Sequence, residues 1–434
     1  MTISADADKA KAATAAEEAS EDLYFMAPEI INEPYQGYGR LREQAPVVRV
    51  RLPDGSALWL VTRYDDVRAF LKDPRFVHDT ENVPDGLAPP SLAELMKQAG
   101  INEDLYPYIC DMMADRDPPR HTRLRKAVFH SLAPARVREM RPRMEELIND
   151  SLDALPGHAD DDGVVDLVEH WAQPMPVGMI CELVGVPLED RPRWREWAHG
   201  LMSHDPKALP AAAYPAIEYL HGLIERRRTE PADDLISAMV HAPNENGERL
   251  TDVEMVGMVM ALVTGSHENT AHLVANATVG LLTHPDQLAL LRDDPSLIPD
   301  AIHEFQRWCS PPMRTRMRYA SEEMELAGHR FQVGDQVSGV LVSANRDPRK
   351  FSDPERLDVT RFRGQKPEHL SFGHGVHYCI GAALGLNEAE IAFSALLDRY
   401  PGLTLAVPPE ELPWIPHPGL RRLVRLPVRL GGDG

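Results

Sequence analysis

The sequence contains only four cysteines, and none of them lies near another. Cys110, Cys181, Cys309 and Cys379 are widely spaced, and no CxxC pair occurs. This spacing argues against a disulfide framework and against a structural zinc site. It fits a reducing compartment, so we expect a cytoplasmic protein.

Long hydrophobic runs are also missing. The longest apolar stretch, residues 255–263, is too short to span a bilayer, and no apolar signal segment occurs at the N-terminus. Residues 1–20 are mostly Ala, Glu, Asp and Lys, so we expect a disordered tail over 1–22. The sequence therefore predicts a soluble protein with no membrane partner.

Basic residues are scarce relative to acidic ones. The chain has 46 Lys and Arg against 67 Asp and Glu, a formal net charge of −21, and an acidic chain repels nucleic acid. The exception is a basic island at residues 120–143, in which Glu139 is the sole acidic residue. Such an island is a docking face for an acidic partner, a local anion site or a solvated helix face.

Hydrophobic periodicity and turn residues predict a mainly α fold with a minor β part. A Pro-Asp-Gly turn at 53–55 lies between two β-rich runs and predicts a hairpin over 47–62. Thr251 and Glu254 form a capping-box pattern that begins a helix of about thirty residues. Further elements are expected as follows: a loop with short helices over 84–112, helices from 118, over 297–309 and after Cys379, and short strands over 313–345 and 403–430.

The strongest chemical signal is the segment 372–381, FGHGVHYCIG. Cys379 precedes a predicted helix, whose dipole favours the thiolate, and the glycines let the backbone approach a large flat ligand. The segment resembles the haem-binding loop of the cytochrome P450 superfamily, whose pattern FxxGxxxCxG is matched at Phe372, Gly375, Cys379 and Gly381.

The resemblance covers about residues 33–428. It implies a helical prism with a small β-rich region, and one domain over 23–434, whereas length alone suggests two or three domains. It also implies haem b (iron protoporphyrin IX) as cofactor, with Cys379 as the ligand of the iron, and Phe372 and Gly381 beside the cofactor.

Three other residues match a structural element of the same family. Glu304 and Arg307 lie one helical turn apart and match its ExxR motif, and Arg356 matches the third partner. The resemblance implies a buried Glu-Arg-Arg cluster that holds the loop below the haem. Arginine suits this role because its planar guanidinium makes bidentate contacts.

A polar segment, GSHENT at 265–270, interrupts the long apolar helix. A helical glycine costs about 1 kcal/mol relative to alanine, so we expect Gly265 to border a ligand groove. In the family an acid and a hydroxyl here deliver protons for oxygen activation. Glu268 matches the acid, but Asn269 replaces the hydroxyl residue.

We therefore expect Asn269 to position a water or a polar substrate atom, with Glu268 as the proton source. The alternative is that Asn269 bonds a local carbonyl and that Thr270 supplies the alcohol. Neighbouring residues of a helix are rotated by about 100°, which favours the first interpretation.

Four cationic residues match the family's ligands of the haem propionates. His121 and Arg125 lie four residues apart on one helix, Arg318 lies in a strand, and His377 precedes Cys379 by two positions. Together they predict an anion site.

The resemblance implies insertion of one oxygen atom from O2 into a small organic substrate. The sequence contains no flavin or iron–sulfur segment, so we expect a ferredoxin and its reductase as electron donors, docking on the basic island of a monomer. Two alternatives remain: a haem-thiolate oxidase, phenol coupler or peroxide-driven catalyst, favoured by the missing alcohol at Asn269, and a non-catalytic haem-binding sensor. Substrate walls are expected from 84–112, 199–215, the long helix, 311–315 and 416–419, with Arg314 either anchoring an anionic group or pointing to solvent.

Overall fold

The computed structural model describes residues 23–84, 86–201, 207–241 and 249–431. The tail predicted over 1–22 lies outside the described residues, and so do 202–206 within the expected wall segment 199–215. Among the helices described, none is both long and apolar enough to cross a bilayer.

Helices form most of the described chain. Their bounds are α1 (Pro28–Ile31), α2 (Pro34–Gln44), α3 (Tyr64–Lys72), α4 (Leu92–Gln98), α5 (Tyr106–Ile109), α6 (Arg120–Phe129), α7 (Pro134–Ala154), α8 (Pro174–Val184), α9 (Arg191–Leu201), α10 (Ala208–Thr229), α11 (Leu235–His241), α12 (Asp252–Thr283), α13 (Pro285–Asp293), α14 (Ile298–Cys309), α15 (Leu341–Ala344) and α16 (Ala382–Arg399).

The strands are short and form three small sheets among the described residues. Their bounds are β1 (Val47–Arg51), β2 (Ala57–Val61), β3 (Phe76–Val77), β4 (Val164–Asp166), β5 (Arg318–Ala320), β6 (Met324–Leu326), β7 (His329–Phe331), β8 (Gln336–Gly339), β9 (Thr404–Leu405) and β10 (Pro427–Arg429). One sheet has the order β1-β2-β8-β5-β3, another the order β4-β10-β9, and β6 pairs with β7. The mainly α fold with a minor β part agrees with the prediction.

The predicted hairpin is confirmed, with each strand one residue shorter at its C-terminal end. β1 and β2 pair antiparallel, with Val47 opposite Val61 and Arg51 opposite Ala57. Gly55 in the connecting turn has φ 86°, a left-handed conformation that glycine adopts without strain.

The long helix α12 runs through the main hydrophobic core. Its capping box is formed as predicted, because the Thr251 hydroxyl accepts from the Glu254 N–H at 3.2 Å and the Glu254 carboxylate accepts from the Thr251 N–H at 3.0 Å. The helix has 32 residues, and buried side chains occur on all its faces. It packs against α5, α8, α14 and α16, so it is positioned to form one wall of any cavity between them.

Candidate active site

A cavity of about 370 Å³ lies between α12 and the segment that precedes α16. Its volume falls within the range of small-molecule sites. It brings together residues that are far apart in sequence. The predicted site residues that line it are His121, Arg125, Gly265, Asn269, Thr270, Arg318, Phe372, His377, Cys379 and Gly381.

The Cys379 side chain lies deep in the protein and is accessible from this cavity. Its N–H donates to the Phe372 carbonyl oxygen at 2.8 Å, which closes the loop that presents the sulfur. Gly375, at φ 77°, packs so closely on α3 that an added Cβ would lie 2.8 Å from the Leu71 carbonyl oxygen. The glycine is therefore required by both its backbone conformation and its neighbour.

Opposing influences act on the Cys379 thiol. Burial raises its pKa, whereas a hydrogen bond from the Gly381 backbone N–H and the positive charge of Arg125 act to lower it. The backbone N–H and the guanidinium both stabilise a thiolate, which is the form that binds a soft metal ion.

The rim of the cavity is cationic and incompletely paired. His121 Nδ1 and Arg318 Nε are buried without a hydrogen-bond partner among the described residues. Burial lowers the pKa of Arg318 to about 10, against the smaller opposing influence of Asp117 and Asp73. A buried cation with spare donors is costly unless an anion completes the site. A thiol facing the cavity and cationic donors on its rim therefore fit a haem with two carboxylates.

The polar segment of α12 contributes an open groove. An added Cβ at Gly265 would meet no protein atom within 4 Å, and Gly265 lines the cavity, so glycine keeps that space clear. The Asn269 amide donates to the Gly265 carbonyl oxygen at 2.7 Å. This is the local contact that the alternative interpretation described, and it uses neither the amide oxygen nor the second amide N–H of Asn269.

Glu268 lies on a different side of α12 from the cavity. Its carboxylate accepts from Arg422 at 2.6 Å, and it is not among the residues that line the cavity. The geometry thus does not bring Glu268 together with Cys379. Successive residues of a helix are rotated by about 100°, so Glu268 points in a different direction from Asn269. Thr270, the residue after Asn269, does line the cavity.

Glu388 is a site residue that the sequence reasoning missed. It lies on α16, is 1% exposed and lines the cavity, where the Thr270 hydroxyl is close enough to act on its carboxyl. Burial raises its pKa to about 8. The available signal was its spacing, because Gly381, Leu384 and Glu388 recur at helical intervals on the face that begins beside Cys379.

The predicted Glu-Arg-Arg cluster contains a different third arginine. Glu304 and Arg307 are fully buried and form a bidentate pair at 2.7 Å and 2.7 Å. The second guanidinium on Glu304 belongs to Arg361, at 3.1 Å, and the prediction for Arg356 is wrong. The Arg356 side chain is exposed, and its backbone carbonyl oxygen accepts from Arg307 at 3.1 Å.

The cluster is connected to the cysteine loop through Asn345. Arg307 donates to the Asn345 carbonyl oxygen at 3.0 Å, while the Asn345 amide oxygen accepts from the Leu370 N–H at 2.7 Å and its nitrogen donates to Ser371 at 2.8 Å. Ser371 in turn donates to the Gln306 carbonyl oxygen at 2.6 Å. These bonds fix the start of the loop that carries Cys379.

The walls of the cavity differ in part from those expected. From the loop region it takes Met113 and Ala114, which follow the expected segment 84–112, and no described residue of 84–112 or 199–215 is among its lining. Within that segment, helix α5 packs on α12, where Gly257 approaches the Tyr108 carbonyl oxygen. α12 and the 311–315 segment do contribute, as expected.

Arg314 neither lines the cavity, where it could anchor an anionic substrate group, nor points freely to solvent. Its guanidinium lies 5.1 Å from the centre of the Phe25 ring and donates to the Thr315 carbonyl oxygen at 3.3 Å. It is packed beside Gly419, outside the cavity lining. An anionic substrate group in the cavity would meet Arg316 instead, whose guanidinium lies 3.2 Å from the Asp115 carboxylate.

The basic island at 120–143 is largely neutralised by carboxylates of the same chain. Its ion pairs join Arg120 to Asp111, Arg123 to Glu254, Arg136 to Glu139 and Asp233, Arg141 to Glu145 and Glu390, and Arg143 to Glu146 and Glu182. Its positive charge is therefore weaker than the sequence suggests.

A second cationic surface lies directly outside the cysteine loop. Val376 and Tyr378 are 57% and 43% exposed. Lys72 and Arg68 on α3 are close enough to lower the pKa of His374 in the same loop, after the larger effect of burial. We call Arg68, Lys72, Val376 and Tyr378 the loop patch. Exposed apolar groups beside cations are typical of a protein-binding surface.

Comparison with known proteins extends the similarity over the whole fold. A family model described as Cytochrome P450 matches residues 194–427. Cytochrome P450 monooxygenase PikC of Streptomyces venezuelae is 41% identical, over 94% of this chain and 94% of its own length. The 6-deoxyerythronolide B hydroxylase of Saccharopolyspora erythraea is 40% identical, over 92% of this chain and 96% of its own length. The solved structure of the Bacillus subtilis 168 bacillaene polyketide synthase cytochrome P450 PksS superposes with a TM-score of 0.84 at 34% identity, covering 94% of this chain and 100% of that one.

Proposed function

The chain belongs to the cytochrome P450 family, and we propose that it hydroxylates an apolar natural product of the polyketide class with electrons from a ferredoxin. Membership makes it a haem-dependent monooxygenase, since relatives that match nearly its whole length are named as P450 monooxygenases and hydroxylases. The observation that carries the proposal is one cavity that is lined by Cys379, Thr270 and Glu388.

Cys379 would hold the haem iron, and the cationic rim would hold the propionates. The propionate donors are His121, Arg125, Arg318 and His377, all of which line the cavity. When bound, a haem with a thiolate ligand activates O2 so that one oxygen atom can be inserted into a substrate.

Thr270 and Glu388 would supply protons to the cavity. A carboxyl with a pKa of about 8 is protonated at neutral pH, so Glu388 holds a proton next to the Thr270 hydroxyl. A hydroxyl can accept this proton on one side while donating its own on the other. Glu268 is tied to Arg422 and would position α12, and the Asn269 amide oxygen would accept from a water or a substrate hydroxyl.

The substrate would be bound mainly by apolar contact. Away from the rim, the cavity is lined by Met113, Ala114, Ile180, Met258, Ala261 and Leu262. Such walls favour an apolar carbon skeleton. Similarity to the bacillaene polyketide synthase cytochrome P450 PksS makes polyketides the first class of molecule to test.

An acidic ferredoxin, reduced by its own reductase, would dock on the loop patch. This surface lies over the loop that carries Cys379, which makes the path from donor to haem short. It also combines exposed apolar groups with the cations Arg68 and Lys72. We further propose that the protein is a monomer and that it is cytoplasmic, since its four free cysteines fit a reducing compartment.

The alternative of an oxidase, phenol coupler or peroxide-driven catalyst rested on the absence of an alcohol at Asn269. That argument loses its basis, since the Thr270 hydroxyl lines the cavity.

The proposal is tested by turnover with a surrogate ferredoxin, its reductase and NADPH. A panel of macrolactones and linear polyketides is first titrated while the iron spin state is followed, and the compounds that bind are then incubated with the full system. We expect a product that is heavier by one oxygen atom and that depends on NADPH and O2. Binding without turnover would point to a sensor, and product formed with peroxide alone but not with the full system would point to a peroxide-driven catalyst.

A further inference from the structure

A third histidine, His78, lies on the cationic rim beside the two that match the family's propionate ligands. Its ring centre is 4.3 Å from that of His377, and the His377 ring is in turn 4.1 Å from that of His121. All three residues line the cavity. The rim thus carries a continuous row of three imidazoles, of which His78 is not accounted for by the sequence motifs.

The His78 ring has an unused polar atom. Its Nε2 is buried and has no hydrogen-bond partner among the described residues, which is also true of His121 Nδ1 and Arg318 Nε on the same rim. A buried polar atom without a partner is destabilising, so such atoms in native proteins are usually completed by a ligand or a water. Three of them around one cavity indicate one shared anionic ligand.

The backbone of His78 is fixed by Asp117, which lies just before α6. The Asp117 carboxylate accepts from the N–H groups of His78 and Asp79, at 3.0 Å each, and from the Asn82 amide at 2.9 Å. The Asp117 carbonyl oxygen accepts from the His121 N–H at 3.0 Å. Asp117 therefore fixes the backbone of both His78 and His121, so that the two imidazole rings lie at the same rim of the cavity.

From this geometry we propose that His78 is an additional ligand of a haem propionate, donating from Nε2 alongside His121, Arg318 and His377. The proposal rests on haem binding, which membership of the family implies, and is independent of the substrate. Its effect is on retention of the cofactor, because each charge-assisted hydrogen bond to a carboxylate slows dissociation. His78 acts on the propionate and not on the reacting atoms, so it is a binding residue only.

The test compares holoenzyme variants by two measurements that do not use catalysis. The first is the rate of haem transfer to an excess of apomyoglobin, and the second is the propionate bending vibration in the resonance Raman spectrum. The variants are His78→Phe, which keeps a flat ring but has no donor, and His78→Gln, which keeps a donor. Glu81→Gln, an exposed position in the same turn, is the control.

We expect His78→Phe to lose haem at least about tenfold faster and to shift the propionate vibration. His78→Gln is expected to lie close to the unaltered protein in both measurements, and the control to be unchanged. An unaltered loss rate in His78→Phe would overturn the proposal. Faster loss in both His78 variants without a propionate shift would also overturn it, because it would assign the residue a packing role.

Discussion

Thr270 on α12 lies beside Glu388 on α16, close enough for its hydroxyl to act on the pKa of the Glu388 carboxyl, and both residues line the cavity that contains Cys379. The pair joins a buried acid to the open space of the site. Glu388 is 1% exposed, and burial raises its pKa to about 8, so its proton is retained at neutral pH. We propose this pair as the proton route in place of the sequence-based expectation, in which Glu268 was the source and Asn269 the intermediary.

Removing the Thr270 hydroxyl is expected to uncouple electron consumption from product formation. Thr270→Ala should divert reducing equivalents to peroxide, with at least about a tenfold loss of product per NADPH, because proton delivery is worth that much or more. Thr270→Ser keeps the hydroxyl and should restore coupling. Peroxide and product are measured with the ferredoxin system.

Asn269→Ala is the matched comparison, since its amide is already bonded to the Gly265 carbonyl oxygen. We expect a smaller change in coupling than for Thr270→Ala. Tight coupling in Thr270→Ala together with collapse in Asn269→Ala would restore the original assignment.

Glu388 should make the protein less stable as the pH rises. A carboxyl whose pKa is higher in the folded protein binds more protons there than when unfolded, so stability is full below about 4.5 and falls as the pH approaches about 8. The loss is at most about 1.4 kcal/mol per pH unit. Thermal unfolding across this range should show a steeper decline for the unaltered protein than for Glu388→Gln.

Glu390→Gln is the control for this measurement, because Glu390 lies on the same helix but pairs with Arg141. Parallel stability curves for Glu388→Gln and the unaltered protein would show that the Glu388 carboxyl does not titrate differently on folding.

Arg361, and not Arg356, should be the third member of the structural cluster. Arg361→Ala leaves the fully buried Glu304 carboxylate with one guanidinium fewer and should lower the free energy of unfolding by about 3 kcal/mol. Arg356→Ala should change it by less than about 0.5 kcal/mol, since the backbone carbonyl that Arg307 uses remains. Denaturation of both variants measures this, and a larger loss in Arg356→Ala would contradict the assignment.

The loop patch, and not the basic island, should bind the electron donor. Lys72→Glu is expected to weaken ferredoxin binding and slow reduction, more strongly at low salt, because it reverses a charge beside the cysteine loop. Arg136→Glu is the matched variant from the island, where Arg136 is already paired with Asp233 and Glu139. Stopped-flow reduction at two salt concentrations compares them. Slower reduction of Arg136→Glu together with an unchanged rate for Lys72→Glu would contradict the prediction and indicate that the donor docks on the basic island.

The sequence allowed the helices and hairpin to be predicted because their signals are local. The capping box at Thr251 and the turn at Gly55 act over a few residues, and both are formed. The choice between Arg356 and Arg361 could not be made in this way. Both arginines lie in one irregular segment, and which side chain reaches Glu304 depends on how that segment folds back on α14.

The site residues that could be predicted from the sequence are those that belong to a motif with fixed spacing. Cys379 and the four predicted propionate ligands were found from motifs, and all of them line one cavity. Glu388 was missed because a single glutamate in an amphipathic helix usually faces solvent. Its burial becomes apparent only when α16 is packed against α12. The sequence also did not reveal that the basic island is neutralised, because partners such as Asp233 and Glu390 are remote from it in sequence.

The central claim is that Cys379 ligates the haem iron as a thiolate, and the ferrous carbonyl spectrum tests it most directly. We expect the unaltered protein to show the shifted Soret band of a haem-thiolate and Cys379→Ser to lose it. Cys110→Ser, which changes another free cysteine, should retain it. Persistence of the shifted band in Cys379→Ser would contradict the account, as would its absence from the unaltered protein loaded with haem.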